Sequence, residues 1–381
     1  MGSWRRRPGR CKRRLQVAAV VVAVVAAVGL VLMLGTGEEE ATRHNTGARD
    51  ELGLPAHTLE DGHTPPSMYS VPGTVVMRTG KSEGLLERFL NGRGTLGEII
   101  SLDMTHPASS NAHCLHTKTD PSYPVCPHPA SLDRHISNQL KTEGVWQART
   151  LALLPVALRS YPSSTLVDIG AHIGVFSLMG AHLGATVVAV EPVYASAVHL
   201  HAGATAGDVS EKITILLHAV TREPTQVKLK YKNGNLGGTS VVDVTPQEAE
   251  SIRSSRPHDV VTSITLDSLA PFINTSVVIV KLDSEGRECE AVLGGHDLLT
   301  ARFTPYIFME WTVLANNRHK FNAPCRPHHL REMVQWLSSH GYHAHISKSG
   351  APLNPDKVDT WRAGDIYWRH STALPLHPSA S

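Results

Sequence analysis

Aromatic residues are scarce in this chain: Phe, Tyr and Trp together make up 5% of its 381 residues. No basic stretch is interleaved with aromatics, so the stacking platform of a nucleic-acid binder is missing. The formal net charge is only +2, and the seven cations among residues 1–14 account for that excess, leaving the rest neutral or acidic. Five cysteines include no Cys-x-x-Cys pair, the usual mark of a zinc or redox centre, and no metal ligand set is assigned. Asp-x-Asp, the element with which metal-dependent glycosyltransferases hold a nucleotide diphosphate, does not occur either. Without an internal repeat, a solenoid is excluded.

What is present begins with a long apolar run, Val17 to Leu34, free of charge. Its 18 residues reach roughly 27 Å at about 1.5 Å each, near the thickness of a bilayer's hydrocarbon core. Arg5, Arg6, Arg7, Arg10, Lys12, Arg13 and Arg14 precede it and Glu38, Glu39 and Glu40 follow, a bias that keeps the N-terminus cytosolic. The expected organisation is a cytosolic tail (1–14), a transmembrane signal anchor (15–35), a stem (36–75), an N-terminal extension (76–147) and a catalytic domain (148–375). That describes a single-pass type II membrane protein with a luminal domain. The modest length of the run favours a thin early secretory membrane, hence the Golgi. A cleaved signal peptide would carry a shorter apolar region.

The strongest local signal is Val167-Asp168-Ile169-Gly170-Ala171-His172-Ile173-Gly174, followed by Val187-Val188-Ala189-Val190-Glu191-Pro192. It reads as strand, glycine turn, helix, strand, acid. Glu191 stands where a carboxylate accepts hydrogen bonds from both hydroxyls of a ribose, so an adenosine-containing cofactor is expected. His172 occupies the position where a dinucleotide fold needs a second glycine to admit pyrophosphate, which disfavours NAD. S-adenosylmethionine carries no phosphate and tolerates a side chain there. About 110 residues on, Val277 to Gly286 form another apolar strand ending in Asp283 and Glu285, and Tyr306 to Glu310 repeat the pattern. Open α/β sheets bind ligands beyond the carboxyl ends of their strands, so Asp168, Glu191, Asp283 and Glu310 should share one rim.

These stretches resemble the FkbM-type methyltransferases, as do Ser263-Ile264-Thr265-Leu266-Asp267-Ser268-Leu269 and Lys281-Leu282-Asp283-Ser284-Glu285-Gly286 with Glu290, Val292, Leu293 and Gly294. The resemblance runs from about Ile136 to Trp368. It implies a class I (Rossmann-like) α/β methyltransferase fold, with a mostly parallel seven-stranded sheet, helices on both faces and S-adenosyl-L-methionine as cofactor. Cofactor-binding candidates are Asp168, Gly170, His172, Gly174 and Glu191; catalytic candidates are Asp283, Glu285 and Glu310. Each acid has a plain alternative: Asp168, Asp283 and Glu285 could cap helices, and Asp267 reads as a cap.

Methyl transfer needs alignment and removal of the acceptor's proton, which the strand-end acids could supply. The acceptor implied is a sugar hydroxyl or another small molecule or glycan, and no nucleic acid. A membrane-anchored glycosyltransferase, or an inactive binding protein that keeps the fold, is the alternative. Cys114 and Cys126 lie in a Pro-, His- and Ser-rich loop without a hydrophobic core, where a disulfide is expected in an oxidising lumen; His113, His116 and His128 nearby leave metal binding as a second reading. Cys289 and Cys325 are either a second pair or reduced. Asn274-Thr275-Ser276 satisfies the N-glycosylation rule at Asn274.

Overall fold

The computed structural model describes residues 74–77, 98–108, 112–256, 259–320 and 323–377, which all fall within one compact unit spanning Pro66–Ser381. The expected membrane anchor at 15–35 and the stem up to residue 73 lie outside the described residues. Among those described, no helix is long and apolar enough to cross a membrane.

The strands are β1 (Thr74–Met77), β2 (Ile99–Leu102), β3 (Leu115–His116), β4 (Pro124–Val125), β5 (Thr165–Ile169), β6 (Thr186–Val190), β7 (Ile213–Leu216), β8 (Ala219–Val220), β9 (Gln226–Lys232), β10 (Asn235–Asp243), β11 (Val260–Ile264), β12 (Val278–Leu282), β13 (Tyr306–Glu310), β14 (Tyr342–Ile346) and β15 (Asp365–His370). The main sheet has the order β1-β2-β7-β6-β5-β12-β13-β15-β14. From β7 to β14 it holds the seven strands of the expected core: β7, β6, β5, β12 and β13 run parallel, while β15 lies antiparallel to both β13 and β14. A β14–β15 antiparallel pair therefore closes one edge, with β14 outermost.

The seven-strand expectation needs correction, because β2 pairs antiparallel with β7 and β1 parallel with β2, giving nine strands. Each of the two is four residues long. A segment that short shows too little alternation to be recognised before its neighbour is known.

Strands β5, β12 and most of β6 and β13 are buried on both faces, which explains their mainly apolar sequences. Successive side chains divide between two cores. Leu166, Val187, Ile279, Tyr306 and Phe308 join one with the helices Leu153–Ser160, Val175–His182 and Tyr194–Ala206. Val167, Ile169, Val188, Val280, Leu282, Ile307 and Met309 join the other with the helices Glu288–Leu293 and Pro327–Ser339.

A second, four-stranded sheet has the order β10-β9-β11-β8. β9 pairs antiparallel with both β10 and β11, while β11 runs parallel to β8. β10 and the helix Pro246–Ser255 were not foreseen. Their signals are nonetheless local: Asn233-Gly234 turns the β9–β10 hairpin with Gly234 at φ +68°, and Thr245 and Glu248 cap the helix reciprocally. This hairpin matters because it roofs the rim of the main sheet.

Candidate active site

Strands β5, β6, β12 and β13 end on a common rim, where Asp168, Glu191, Asp283 and Glu310 stand at or just beyond the strand termini. Two adjoining cavities open there, of about 280 Å³ and about 40 Å³. Gly170, His172, Gly237, Asp283 and Glu285 line both. The smaller is completed by Glu191, Pro192, His218 and Ala219 under Thr239 and Val241 of β10. The larger adds Asp168, Phe176, Lys281, Glu310, Trp146 and Gln147. Gly174 lines neither cavity: it sits at φ +84°, and a Cβ there would lie 2.0 Å from Leu200 Cδ1, so packing accounts for the glycine.

The turn after β5 is tight because Gly170 has φ +74° and faces the backbone of Asp283, whose carbonyl oxygen a Cβ would approach to 1.8 Å. Two residues on, His172 adopts φ +50°. Both its ring nitrogens are buried without a partner, and burial pushes its pKa down to about 4, so the ring is neutral. The His172 and Val193 backbone N–H groups donate to the two carboxylate oxygens of Glu191 at 2.8 Å each. Burial raises the Glu191 carboxyl to about 7 despite those bonds. Since a carboxylate oxygen offers about two acceptor sites, each still has one to give. Asp168 is buried and accepts the Ser177 hydroxyl at 2.6 Å; burial raises its pKa, against the pull of Lys281.

On the other side of the pocket, Lys281 Nζ donates to Asp283 Oδ2 at 2.9 Å and lies 4.8 Å from the centre of the Phe176 ring. Burial alone would lower this ammonium's pKa, but Asp283 and Asp168 outweigh it and the net shift is upward. The Gln147 side-chain amide donates to the same Asp283 oxygen at 3.1 Å. Glu285, at φ +55°, pairs with Lys232 of β9 at 2.7 Å. Burial raises the Glu285 carboxyl while Lys232 opposes the shift. Glu310 is pushed up to about 10 by burial and then by Asp283, Glu288 and Glu285. The crowding of these acids thus disfavours a bare negative charge on Glu310.

Sequence reasoning brought out Asp168, Gly170, His172, Glu191, Asp283, Glu285 and Glu310, and all seven line these cavities. It missed Gln147 and the hairpin residues Lys232, Asn235 and Gly237, which come from segments without a readable motif. Glu288 was missed as well: it is fully buried beside the rim but reads in sequence as an ordinary first-turn helix residue. Lys281 could have been found, since a lysine inside an otherwise apolar buried strand demands a partner.

Five acids line the pocket, and its two lysines are already paired with Asp283 and Glu285. Such a wall repels phosphates and attracts a positive group, so it fits a sulfonium and an ammonium better than a pyrophosphate. Elsewhere, Cys114–Cys126 form the expected disulfide, and Cys289–Cys325 form a second. Asn274 is exposed in the loop before β12.

Residues 168–344 match the model of the methyltransferase FkbM domain. No curated protein matches the chain. Among solved structures it is similar to a protein from Klebsiella pneumoniae assigned as an O-methyltransferase, at 13% identity over 64% of this chain and 91% of that one, TM-score 0.34. It is also similar to a SAM-dependent methyltransferase from Agrobacterium tumefaciens, at 9% identity over 71% and 76%, TM-score 0.33. A third is a SAM-dependent O-methyltransferase from Thermotoga maritima, at 10% identity over 65% and 73%, TM-score 0.28.

Proposed function

From the match of residues 168–344 to the methyltransferase FkbM domain, we propose that the chain moves the methyl group of S-adenosylmethionine to a hydroxyl oxygen of a glycan or other small-molecule acceptor in the secretory lumen. The observation that carries this reading is Glu191, buried at the end of β6 beside the Gly170 turn, with an acceptor site open on each oxygen. Those sites suit the two hydroxyls of a ribose, while His172 and Gly170 bound the path between ribose and rim. The luminal setting is supported by the charge-flanked apolar run at 17–34, by two disulfides and by the exposed acceptor triplet at Asn274.

When bound, S-adenosylmethionine supplies a methyl group on a positive sulfur, open to in-line attack. An acceptor hydroxyl in the larger cavity becomes a competent nucleophile only as it loses its proton, and Asp283 is placed to take it. Lys281 and Gln147 both hold Oδ2 of Asp283, which leaves Oδ1 for the acceptor. The Lys232–Glu285 pair ties the hairpin to the rim.

Incubating the full chain with methyl-labelled cofactor and fractionated luminal glycans, lipids and proteins tests this reading. Label should enter the glycan fraction, and Glu191→Ala should lower its transfer at cofactor concentrations that just saturate the parent. Calorimetry that detects no binding of S-adenosylmethionine or S-adenosylhomocysteine to the full chain would remove the proposal.

A further inference from the structure

Asp283, Glu288 and Glu310 each bring a carboxylate oxygen to within 4.8 Å of the others. Acidic residues gather on many surfaces without consequence, but this group differs in one respect. Glu288 is fully buried, and its Oε2 has no hydrogen-bond partner. Its other oxygen is used, accepting the Ser284 N–H at 2.8 Å and the Gly286 N–H at 3.3 Å. Glu310 Oε2 is likewise buried and unpartnered. Leaving a buried carboxylate oxygen unsatisfied is costly, and a missing cation is one way to remove the cost. Lys281 does not fill that role, since its ammonium is bonded to Asp283 Oδ2.

We propose that Asp283, Glu288 and Glu310 form a binding site for one divalent cation of the hard class. All three donors are oxygens, with no imidazole or thiolate in the group, which selects Mg²⁺, Ca²⁺ or Mn²⁺ over zinc. Oxygens on opposite sides of a calcium ion stand about 4.6–5.2 Å apart, so the observed separations close around one such ion. Asp283 and Glu310 also line the larger cavity, so the ion's remaining positions face it. There it would bind oxygens of an acceptor, a consequence that rests on the methyltransferase reading, whereas the site itself does not.

Titration of Mn²⁺ against the full chain without cofactor, followed by the electron paramagnetic resonance signal of the free ion, tests the site. One equivalent should bind, Ca²⁺ or Mg²⁺ should displace it, and Glu288→Gln and Glu310→Gln should each weaken it at least about tenfold. Glu332→Gln, on the exposed ion pair with Arg222, should bind as the parent does. A parent that leaves the Mn²⁺ signal unchanged overturns the proposal, and so does binding as tight as the parent's by both site variants. Should neither variant fold, anomalous scattering from Mn²⁺-soaked parent crystals decides: density between the three carboxylates supports the site, and density only elsewhere overturns it.

Discussion

Glu191 is held by two backbone N–H groups and offered to a ligand at once, so its substitution separates those duties. Glu191→Ala should weaken S-adenosylmethionine binding by about 1.5–3 kcal/mol, or roughly 10- to 150-fold, as read by calorimetry on the folded variant. Unchanged affinity would remove the ribose assignment. The same carboxyl also links stability to pH. Folded, it holds its proton to about 7, against 4.5 for the unfolded chain. Its contribution is therefore complete below about pH 4.5 and is lost as pH rises to 7, about 3 kcal/mol in all. His128, His172 and His218, held neutral by burial, act with the opposite sign. The informative quantity is thus the difference between parent and Glu191→Gln: the variant should gain relative melting temperature between pH 5 and 7.5, and a constant gap would refute the assignment. At Asp283, exchange to Asn should lower single-turnover transfer at least about 100-fold while cofactor affinity changes little. Transfer at the parental rate would exclude a base. The cavity acids were legible in sequence because each ends an apolar strand; Gln147 and Glu288 were not, because their position depends on contacts made across the fold.

Where single strands are concerned, sequence patterning succeeded in the parallel centre of the sheet and weakened toward its margins. β6, β12 and β13 announce themselves because burial on both faces forces four apolar residues in a row, and β5 is marked by the glycine turn that follows it. The second sheet is half exposed and rich in Lys, Asn and Thr, so β10 resembled a loop. Its antiparallel partnership is set by a turn at Asn233-Gly234 that hydrophobic period alone does not reveal. The join between β5 and the following helix is the least tolerant point. Gly170→Ala would drive a methyl group into the Asp283 carbonyl at 1.8 Å and force a left-handed residue. A loss of about 1–3 kcal/mol is expected from backbone strain alone, to be measured by urea unfolding. A neutral outcome would mean that β5 and β12 can separate without cost.

For the molecule as a whole, the disulfides set conditions that a sheet diagram does not convey. Cys289 and Cys325 are 36 residues apart in sequence, and Cys289 follows Glu288 at the start of a helix facing the rim. Replacing both cysteines with serine should cost about 4 kcal/mol, mainly through a freer unfolded chain. Thermal melts of the double variant check it, and an unchanged midpoint would show the bridge to be incidental. Sequence could count these cysteines but not pair them, because the pairing depends on where the segment before Pro327 returns.

The pocket is assembled from two sheets, with its acids on the nine-stranded one and its cover on the β9–β10 hairpin. The charged floor of the pocket and its cover thereby lie on separate pieces of chain. Residues 226–243 could drift, lengthen or be exchanged between relatives, recasting what is admitted while the reacting groups beneath stay unaltered.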